Sequence, residues 1–355
     1  MSLHDADIQL QRASAAYDAM QRSMSAGRGL YRETAAADSP LAYVWPFSRA
    51  LLGTLCLARL GVLAPVDCLK GLERYWTGAA YASAVVPPGG DVYYDDNAWI
   101  ALALVLAHRL DIVRQLDRVR QLYTFGLRAW DRDHGGGILW VQQGVGYGLS
   151  NHDRGAGATA GWAEVGLHLQ ELGGKPEPMP QTLLEWVSTH LDASHAGHGP
   201  FLNVVRGDGS IDTNVWSYNQ GVMLGARVLQ YRLTRDIAYL TAAEGIARQT
   251  LGTFGDFERH PPSFNAMCFQ NMLMLHAETA DAQLQAAMRE AMVQYAEWAW
   301  DPSTRARDEA TNLFYFDDAG RPALGSQPAR VQDQGAMTQL YALLAWPRSD
   351  YAKLT

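Results

Sequence analysis

Apolar residues recur along most of this chain at the spacing of an α-helix, and few segments alternate as a strand does. The pattern predicts twelve helices in six consecutive pairs: 5–25 with 44–61, 66–77 with 95–110, 112–130 with 153–172, 180–192 with 215–233, 236–252 with 264–279, and 282–300 with 332–346. No sequence signature recurs at a fixed period, so the predicted repeat is one of structure.

The two helices of a pair differ in character. Segment 112–130 is amphipathic, with one apolar stripe that consists of Ile112, Leu116, Val119, Tyr123 and Trp130. Segment 95–110 is instead apolar on almost every side, and 215–233 and 264–279 carry almost no charge. The contrast predicts an all-α fold, an (α/α)6 barrel of six inner and six outer helices, formed by residues 1–355 as a single domain.

The lengths of the links predict which end of the barrel carries function. Short links such as Leu110-Asp111 and Thr234-Arg235 follow inner helices, whereas long Gly-rich loops precede several of them. Because binding residues concentrate on long loops, we expect the site where the inner helices begin. The polar and aromatic residues there are Trp45, Asp95, Asp96, Asn151, His152, Trp216 to Gln220, Ser263, Asn265 and Gln332 to Gln334.

One of these helix starts places two adjacent carboxylates, Asp95 and Asp96, among aromatic rings within segment 93–99. One Asp would be enough to cap the helix, so the plain structural interpretation is that one residue is the cap and the other is a solvated side chain. Two neighbouring carboxylates titrate as a pair, and the charge of one raises the pKa of the other. A protonated acid beside an ionised carboxylate is typical of glycosidases, so the doublet is the predicted catalytic pair.

The chain contains a second aspartate doublet, Asp317-Asp318, which serves as an internal comparison. It lies in Phe316-Asp317-Asp318-Ala319-Gly320, between short apolar stretches. This is the composition of a hairpin turn, and the second doublet is therefore predicted to be structural.

Composition narrows the class of ligand. The 11 Trp and 16 Tyr suit stacking on carbohydrate, and the net charge of -8 argues against nucleic acid or an acidic membrane surface as a partner. No Cys/His metal spacing occurs, and the three cysteines are expected to be buried free thiols, so neither a metal nor a cofactor is predicted.

No run of apolar residues is long enough to span a membrane, and no leader segment is recognisable. The sequence as given predicts a cytoplasmic protein, or an extracellular or periplasmic one if Met1-Ser2-Leu3 stands where a leader was removed. A monomer is expected.

Three motifs carry a family resemblance: Tyr94-Asp95-Asp96-Asn97-Ala98-Trp99, Trp216-Ser217-Tyr218-Asn219-Gln220-Gly221, and the segment from Gly135-Gly136-Gly137-Ile138 to Asn151. Together they resemble glycoside hydrolase family 76, the α-1,6-mannanases. The resemblance implies an (α/α)6 barrel and retaining hydrolysis of α-1,6-mannosidic bonds, with Asp95 as nucleophile and Asp96 as acid/base. The adjacency of the two residues independently favours the short carboxyl separation, about 5 to 5.5 Å, that retention needs.

A mannan or mannooligosaccharide is the substrate that the resemblance implies. By their positions, the residues expected to hold the sugar are Tyr94, Asn97, Trp99, Trp140, Asn151, Trp216, Tyr218, Asn219 and Gln220. The chain departs from the family pattern before the third inner helix, where segment 147–151 keeps only a Ser-Asn pair, and in the fifth inner helix, which lacks a Lys-Gly. The chemistry is therefore predicted more firmly than the substrate.

Two other functions are compatible with this barrel. A sugar epimerase of the N-acylglucosamine 2-epimerase type would use histidine bases on the inner helices, and the candidates are His108, His152, His168, His260 and His276. A non-catalytic glycan-binding barrel is the third possibility, against which the intact Asp95 and Asp96 argue.

Overall fold

The structure is a computed structural model that describes residues 3–142 and 148–355. Within those ranges it contains twelve α-helices: α1 Leu3–Met24, α2 Val44–Ala58, α3 Val66–Leu72, α4 Tyr94–Arg109, α5 Leu116–Leu127, α6 Ala156–Glu171, α7 Met179–His190, α8 Ser217–Thr234, α9 Ile237–Phe254, α10 Pro262–Glu278, α11 Ala282–Trp300 and α12 Val331–Ala345. All six predicted pairs are confirmed. The largest differences are at α5, which is shorter than 112–130 at both ends, and at α3, which ends at Leu72 and continues as a 3-10 turn, Glu73–Tyr75.

The even-numbered helices form a closed inner ring. Each packs against the next, from α2 through α4, α6, α8 and α10 to α12, and α12 packs back onto α2. The odd-numbered helices lie outside this ring and contact their neighbours in it. The inner helices are apolar on almost every side because each is covered on every side, and residues 97–107 of α4 are all buried. The predicted (α/α)6 barrel is therefore confirmed.

Glycines let two inner helices approach each other closely. A Cβ atom added to Gly53 of α2 would lie 2.4 Å from the carbonyl oxygen of Gly335 in α12. One added to Gly335 would lie 2.5 Å from the backbone nitrogen of Ala50. This close approach of α2 and α12 thus depends on the absence of side chains from both glycines.

Charged residues join the inner helices at the end where they finish. Glu171 of α6 pairs with Arg109 of α4, and Arg232 of α8 pairs with Glu278 of α10 at 2.8 Å. Burial alone would raise the pKa of Glu171, but its bond to His168 and the charges of Arg109 and Arg232 outweigh burial and lower that pKa to about 2. This network (Arg109, His168, Glu171, Arg232 and Glu278) is the basal network.

The opposite end, the mouth, carries the long loops and the short strands. Strands β1 Ser25–Gly27 and β2 Leu30–Tyr31 form a small hairpin. Strands β3 Arg154–Gly155, β4 Leu202–Val205 and β5 Ile211–Val215 form an antiparallel sheet beside the starts of α6 and α8, with Val204 opposite both Gly155 and Asp212. The sequence predicted no such sheet, because its strands are very short and β3 pairs with a strand that is distant in the chain.

The second aspartate doublet is structural, as predicted. Phe316 pairs with Pro322 across a turn, and the Asp317 carboxylate accepts bonds from the backbone nitrogens of Ala319 and Arg321, both at 2.9 Å. The three cysteines, Cys56, Cys68 and Cys268, are buried free thiols. Among the described helices, none is long and apolar enough to cross a membrane.

Candidate active site

Two adjoining cavities open at the mouth. The aromatic cavity, of about 310 Å³, is lined by Trp45, Tyr93, Asp95, Asp96, Trp99, Trp140, Tyr218 and Phe264. The polar cavity, of about 250 Å³, is lined by Asp95, Trp140, Asp153, Gly155, Gly157, Ala158, Asn203, Val204, Arg206, Asp212 and Tyr218. The two share Asp95, Trp140 and Tyr218, so they form one cleft with the aspartate doublet in its floor.

A larger groove, of about 680 Å³, runs between the outer helices α1 and α11. Its Glu297 carboxylate is paired with Arg12, and it contains no adjacent carboxylates. We therefore assign the candidate active site to the mouth, where the chemistry-bearing side chains converge.

The start of α4 is held by the backbone. Tyr93 precedes the helix in an extended conformation (φ -92°, ψ 136°), and no side chain caps the helix. The backbone nitrogen of Tyr94 donates to the Trp140 carbonyl at 2.9 Å, which fixes the helix start against the Trp140 segment. Neither Asp95 nor Asp96 is used as a cap, so both carboxylates remain available to the cleft.

The doublet has the asymmetry that its sequence predicts. Burial raises the pKa of Asp95 to about 6, although the backbone N–H of Asp96, which donates to Asp95 Oδ1 at 3.0 Å, opposes the rise. Burial and then the charge of Asp95 raise the pKa of Asp96 well above its ordinary value. Burial therefore raises the pKa of both carboxyl groups, and at Asp96 the charge of its neighbour adds to the rise.

A buried arginine faces Asp96 from the neighbouring inner helix. Arg49 of α2 is 1% exposed, its guanidinium lies 4.5 Å from the Trp45 ring centroid, and its Nε donates to Ser48 Oγ at 3.2 Å. Burial lowers the pKa of Arg49 to about 9, and the charge of Asp96 opposes that shift. Its two terminal nitrogens have no hydrogen-bond partner in the described part of the chain. Sequence reasoning missed this residue, although it is the single charge in α2.

Aromatic rings surround the doublet. The ring centroids of Trp99 and Tyr218 are 6.1 Å apart, and those of Tyr93 and Trp140 are 5.1 Å apart. Trp45 and Phe264 complete the wall, with centroids 6.3 Å apart. Such faces can stack on the apolar side of a sugar ring.

Hydrogen-bonding groups line the polar cavity. Asn203 of β4 donates from Nδ2 to Asp212 Oδ2 of β5 at 3.0 Å, and Tyr218 donates from its hydroxyl to Asn203 Oδ1 at 3.3 Å. Arg206 pairs with Asp212 at 3.3 Å. These residues were not predicted, since they reach the cleft only through the β4–β5 hairpin.

Five of the predicted residues line the cleft: Asp95, Asp96, Trp99, Trp140 and Tyr218. Two predicted amides have a different role. Asn97 is buried and accepts from the Tyr81 backbone nitrogen at 2.8 Å while donating to the Tyr81 carbonyl at 3.0 Å. Gln220 makes the same pair of bonds with Phe201, at 2.8 and 2.9 Å. Each amide ties a loop to an inner helix, and neither lines a cavity in the described part of the chain.

The remaining predicted residues also lie outside the lining. Tyr94 stacks on Phe125 at 4.9 Å, behind the helix start. Asn219 is buried and reaches the cleft only through Asn203, to which it donates at 3.4 Å. Trp216 and Asn151 line neither cavity as far as the described residues extend. Position at the start of an inner helix thus predicted that these residues lie near the cleft, but not whether their side chains line it.

The histidines proposed for an epimerase do not meet at the cleft. His168 belongs to the basal network, and His260 packs behind Trp216 with ring centroids 6.1 Å apart. In the described ranges, no histidine lines either cavity. The cleft therefore offers carboxylates rather than imidazoles as its acid and base.

Solved structures share this fold. The α-mannanase BT2949 of Bacteroides thetaiotaomicron is 16% identical, with a TM-score of 0.82 and 95% of each chain covered. The mannosidase Bt3792 of the same species is 20% identical, with a TM-score of 0.78, covering 95% of this chain and 98% of the other.

A third structure, also similar in fold, is a complex. It is an inactive variant of the α-1,6-mannanase GH76A of Salegentibacter sp. HEL1_6, with two consecutive aspartates replaced by asparagine, bound to α-1,6-mannotriose. It is 17% identical, with a TM-score of 0.77, covering 95% of this chain and 99% of the other.

Among curated proteins, none matches the chain. The sequence model described as Glycosyl hydrolase family 76, in contrast, matches residues 73–315, which include Asp95 and Asp96, the β3–β4–β5 sheet and most of the barrel. This chain belongs to glycosyl hydrolase family 76 and is a glycoside hydrolase.

Proposed function

We propose that the chain hydrolyses α-mannosidic bonds, with α-1,6-linked mannan as substrate, and that it retains the anomeric configuration. Asp95 is the nucleophile and Asp96 the acid/base. The observation that carries the proposal is the doublet itself, two adjacent carboxylates with unequal pKa shifts in the floor of an aromatic-walled cleft.

The comparison with the Salegentibacter enzyme supports these roles. Replacing two consecutive aspartates makes that protein inactive. The present chain has two aspartate doublets, and one of them, Asp317-Asp318, is engaged in a hairpin turn. The doublet that remains for catalysis is Asp95-Asp96.

The reaction follows from the two protonation states. Asp96 donates its proton to the glycosidic oxygen while Asp95 Oδ attacks C1, so the bond to the leaving sugar breaks as a glycosyl ester forms. Asp96, now ionised, removes a proton from water, which attacks C1 and releases Asp95. The product keeps the α configuration after two inversions.

The linings of the cavities support a direction for the substrate. Asp95 lines both cavities, whereas Asp96 lines the aromatic one alone. An acid must reach the oxygen of the leaving group, so the leaving sugar lies in the aromatic cavity. The sugar that becomes bonded to Asp95 then extends towards Asn203 and Asp212, whose polar atoms suit its hydroxyl groups.

Two variants test the roles separately. We expect Asp95→Asn to abolish hydrolysis of α-1,6-mannotriose and of an aryl mannoside with a good leaving group, because no nucleophile remains. Asp96→Asn should lose mannotriose hydrolysis but form the glycosyl-enzyme from the activated substrate, which needs no acid, and azide should rescue turnover as an α-mannosyl azide. Asp317→Asn is the matched control and should keep wild-type activity.

The proposal fails if either doublet variant hydrolyses mannotriose as the wild type does. A β-mannose first product, detected by NMR, would contradict retention. Cleavage of other glycans with no action on α-1,6-mannosides would leave the catalytic pair intact but overturn the substrate.

A further inference from the structure

Three metal-ligating side chains meet outside the cleft. Asp131 and His134 follow α5, and His152 lies in the 3-10 turn Gly148–His152 that precedes β3. Each can offer one ligand atom, and these three atoms all lie within 4.8 Å of one another. The cluster was not predicted from the sequence, because one of its three members is remote in the chain from the other two.

Close contacts join the members of the cluster. His134 Nδ1 lies 2.9 Å from Asp131 Oδ1 and 3.0 Å from Oδ2. The rings of His134 and His152 are edge-to-face, with centroids 5.4 Å apart. The Nδ1 atom of His152 is buried and has no hydrogen-bond partner among the described residues. A buried polar nitrogen without a protein partner calls for a ligand, such as an ion or a water molecule.

We propose that Asp131, His134 and His152 bind one divalent transition-metal ion, with Zn²⁺ as the ion that fits best. Two imidazoles and one carboxylate favour zinc over calcium or magnesium, which prefer oxygen donors. The His134 side chain is 59% exposed, so water completes a tetrahedral site. Ligand atoms in such a site lie roughly 3.3 Å apart. The three ligand atoms here lie within 4.8 Å of one another, and a small movement of the exposed His134 side chain would bring them to the spacing that a zinc ion needs.

Arg154 acts on the second carboxylate oxygen. Its Nη1 lies 3.8 Å from Asp131 Oδ2 and donates to the His134 carbonyl at 2.6 Å. The arginine thus orients Asp131 and leaves Oδ1, the oxygen nearer His134, for the ion. Its positive charge weakens binding, so we expect an exchangeable ion that a chelator removes.

A metal here would tie together two segments that support the cleft wall. Leu139 pairs with Arg154, and the Trp140 backbone nitrogen donates to the Asp153 carbonyl at 2.8 Å. Both contacts lie between the segment that carries Trp140 and the residues that follow His152. The ion would therefore stabilise the folded state by binding it and not the unfolded chain.

The experiment uses the purified full chain after removal of metals with EDTA. We expect calorimetric titration with ZnCl₂ to show one saturable site per chain, and Zn²⁺ to raise the Tm, while MgCl₂ and CaCl₂ do neither. Co²⁺ should give the intense visible absorption of a four-coordinate site. His134→Ala and His152→Ala should each remove the site, and Asp131→Asn should weaken it at least tenfold.

The matched control is His195→Asn. His195 is exposed in another loop, and its positive φ of 54° is one that Asn tolerates. This variant should bind zinc as the wild type does. Circular dichroism of each apo variant checks that the barrel is folded. The proposal is overturned if the wild type shows no saturable zinc binding, or if folded His134→Ala and His152→Ala proteins bind zinc with unchanged stoichiometry and affinity. Neither result bears on the proposed hydrolase function, which needs no metal.

Discussion

In the proposed mechanism Asp96 acts first as an acid and then as a base, which requires its pKa to change during the reaction, and Arg49 is placed to assist that change. While Asp95 is ionised, its charge helps to raise the pKa of Asp96. In the glycosyl-enzyme Asp95 is a neutral ester, so this contribution disappears and the opposing charge of Arg49 remains. The arginine should therefore favour the ionised Asp96 that activates water.

Replacing Arg49 tests this at the scale of one residue. We expect Arg49→Met to raise the pKa of Asp96, move the basic limb of the kcat/KM profile to higher pH, and lower kcat roughly tenfold to hundredfold as the second step slows. Arg49→Lys keeps the charge and should shift the limb less. Arg248→Met, on the exposed face of α9, is the control and should leave the profile unchanged. An unshifted basic limb in Arg49→Met would contradict the role.

The buried pair Asp95 and Asp96 should also destabilise the folded protein at neutral pH. A carboxyl group whose pKa is raised by folding destabilises the native state at any pH above its unfolded value of about 3.9, and the loss disappears as the pH falls towards that value. We therefore expect Asp96→Asn to raise the Tm at pH 7 by on the order of a few degrees, but not at pH 4. Asp317→Asn should lower the Tm, because the ionised Asp317 carboxylate accepts the hydrogen bonds that hold its turn. Differential scanning calorimetry at both pH values checks the contrast, and an unchanged Tm in Asp96→Asn would count against the buried pair.

At the scale of elements, the contact between α2 and α12 is the most sensitive one. A methyl group at Gly53 meets the Gly335 backbone carbonyl at 2.4 Å, and a backbone atom cannot turn aside as a side chain can. We expect Gly53→Ala to lower the free energy of unfolding by about 1–3 kcal/mol, the usual range for overpacking. Gly252→Ala, in α9, meets nothing within 4 Å and should raise it by about 0.5–1 kcal/mol through helix propensity. Urea unfolding measures both, and equal effects would show that the ring tolerates a wider spacing.

Helices and loops were not equally predictable from sequence. The apolar periodicity gave α4 and α12 almost to the residue, since a helix that must be buried on every side shows it in every turn. The polar cavity could not be predicted, because Asn203 and Asp212 enter it only after β4 and β5 pair. At the site, the doublet predicted the position of the cleft, because Asp95 and Asp96 both line it. Asn97 was expected to hold the sugar but lies outside both linings, and the sequence could not show this because an amide that fastens a loop and one that binds a sugar look alike.

At the scale of the whole molecule, the basal network should make the barrel sensitive to acid. The folded-state pKa of Glu171, about 2, lies below its unfolded value of about 4.3. Its contribution to stability is therefore complete above about pH 5 and is lost as the pH falls from there towards 2. We expect Glu171→Gln to be less stable at pH 7 but to lose less further stability between pH 5 and 3. Urea unfolding across this range measures the difference, and parallel pH curves for the two proteins would refute the role.

Trapping the covalent intermediate tests the central claim most directly. A fluorinated α-mannosyl fluoride should react with the wild type and accumulate as a glycosyl-enzyme, because the ring fluorine slows both steps while the fluoride leaving group speeds only the first. Intact mass spectrometry should show one added fluoromannosyl group per chain, and peptide mapping should assign it to Asp95, with no label in Asp95→Asn. A label on Asp96 or on another residue would contradict the account. So would turnover of the reagent to a β-configured product without inactivation of the enzyme.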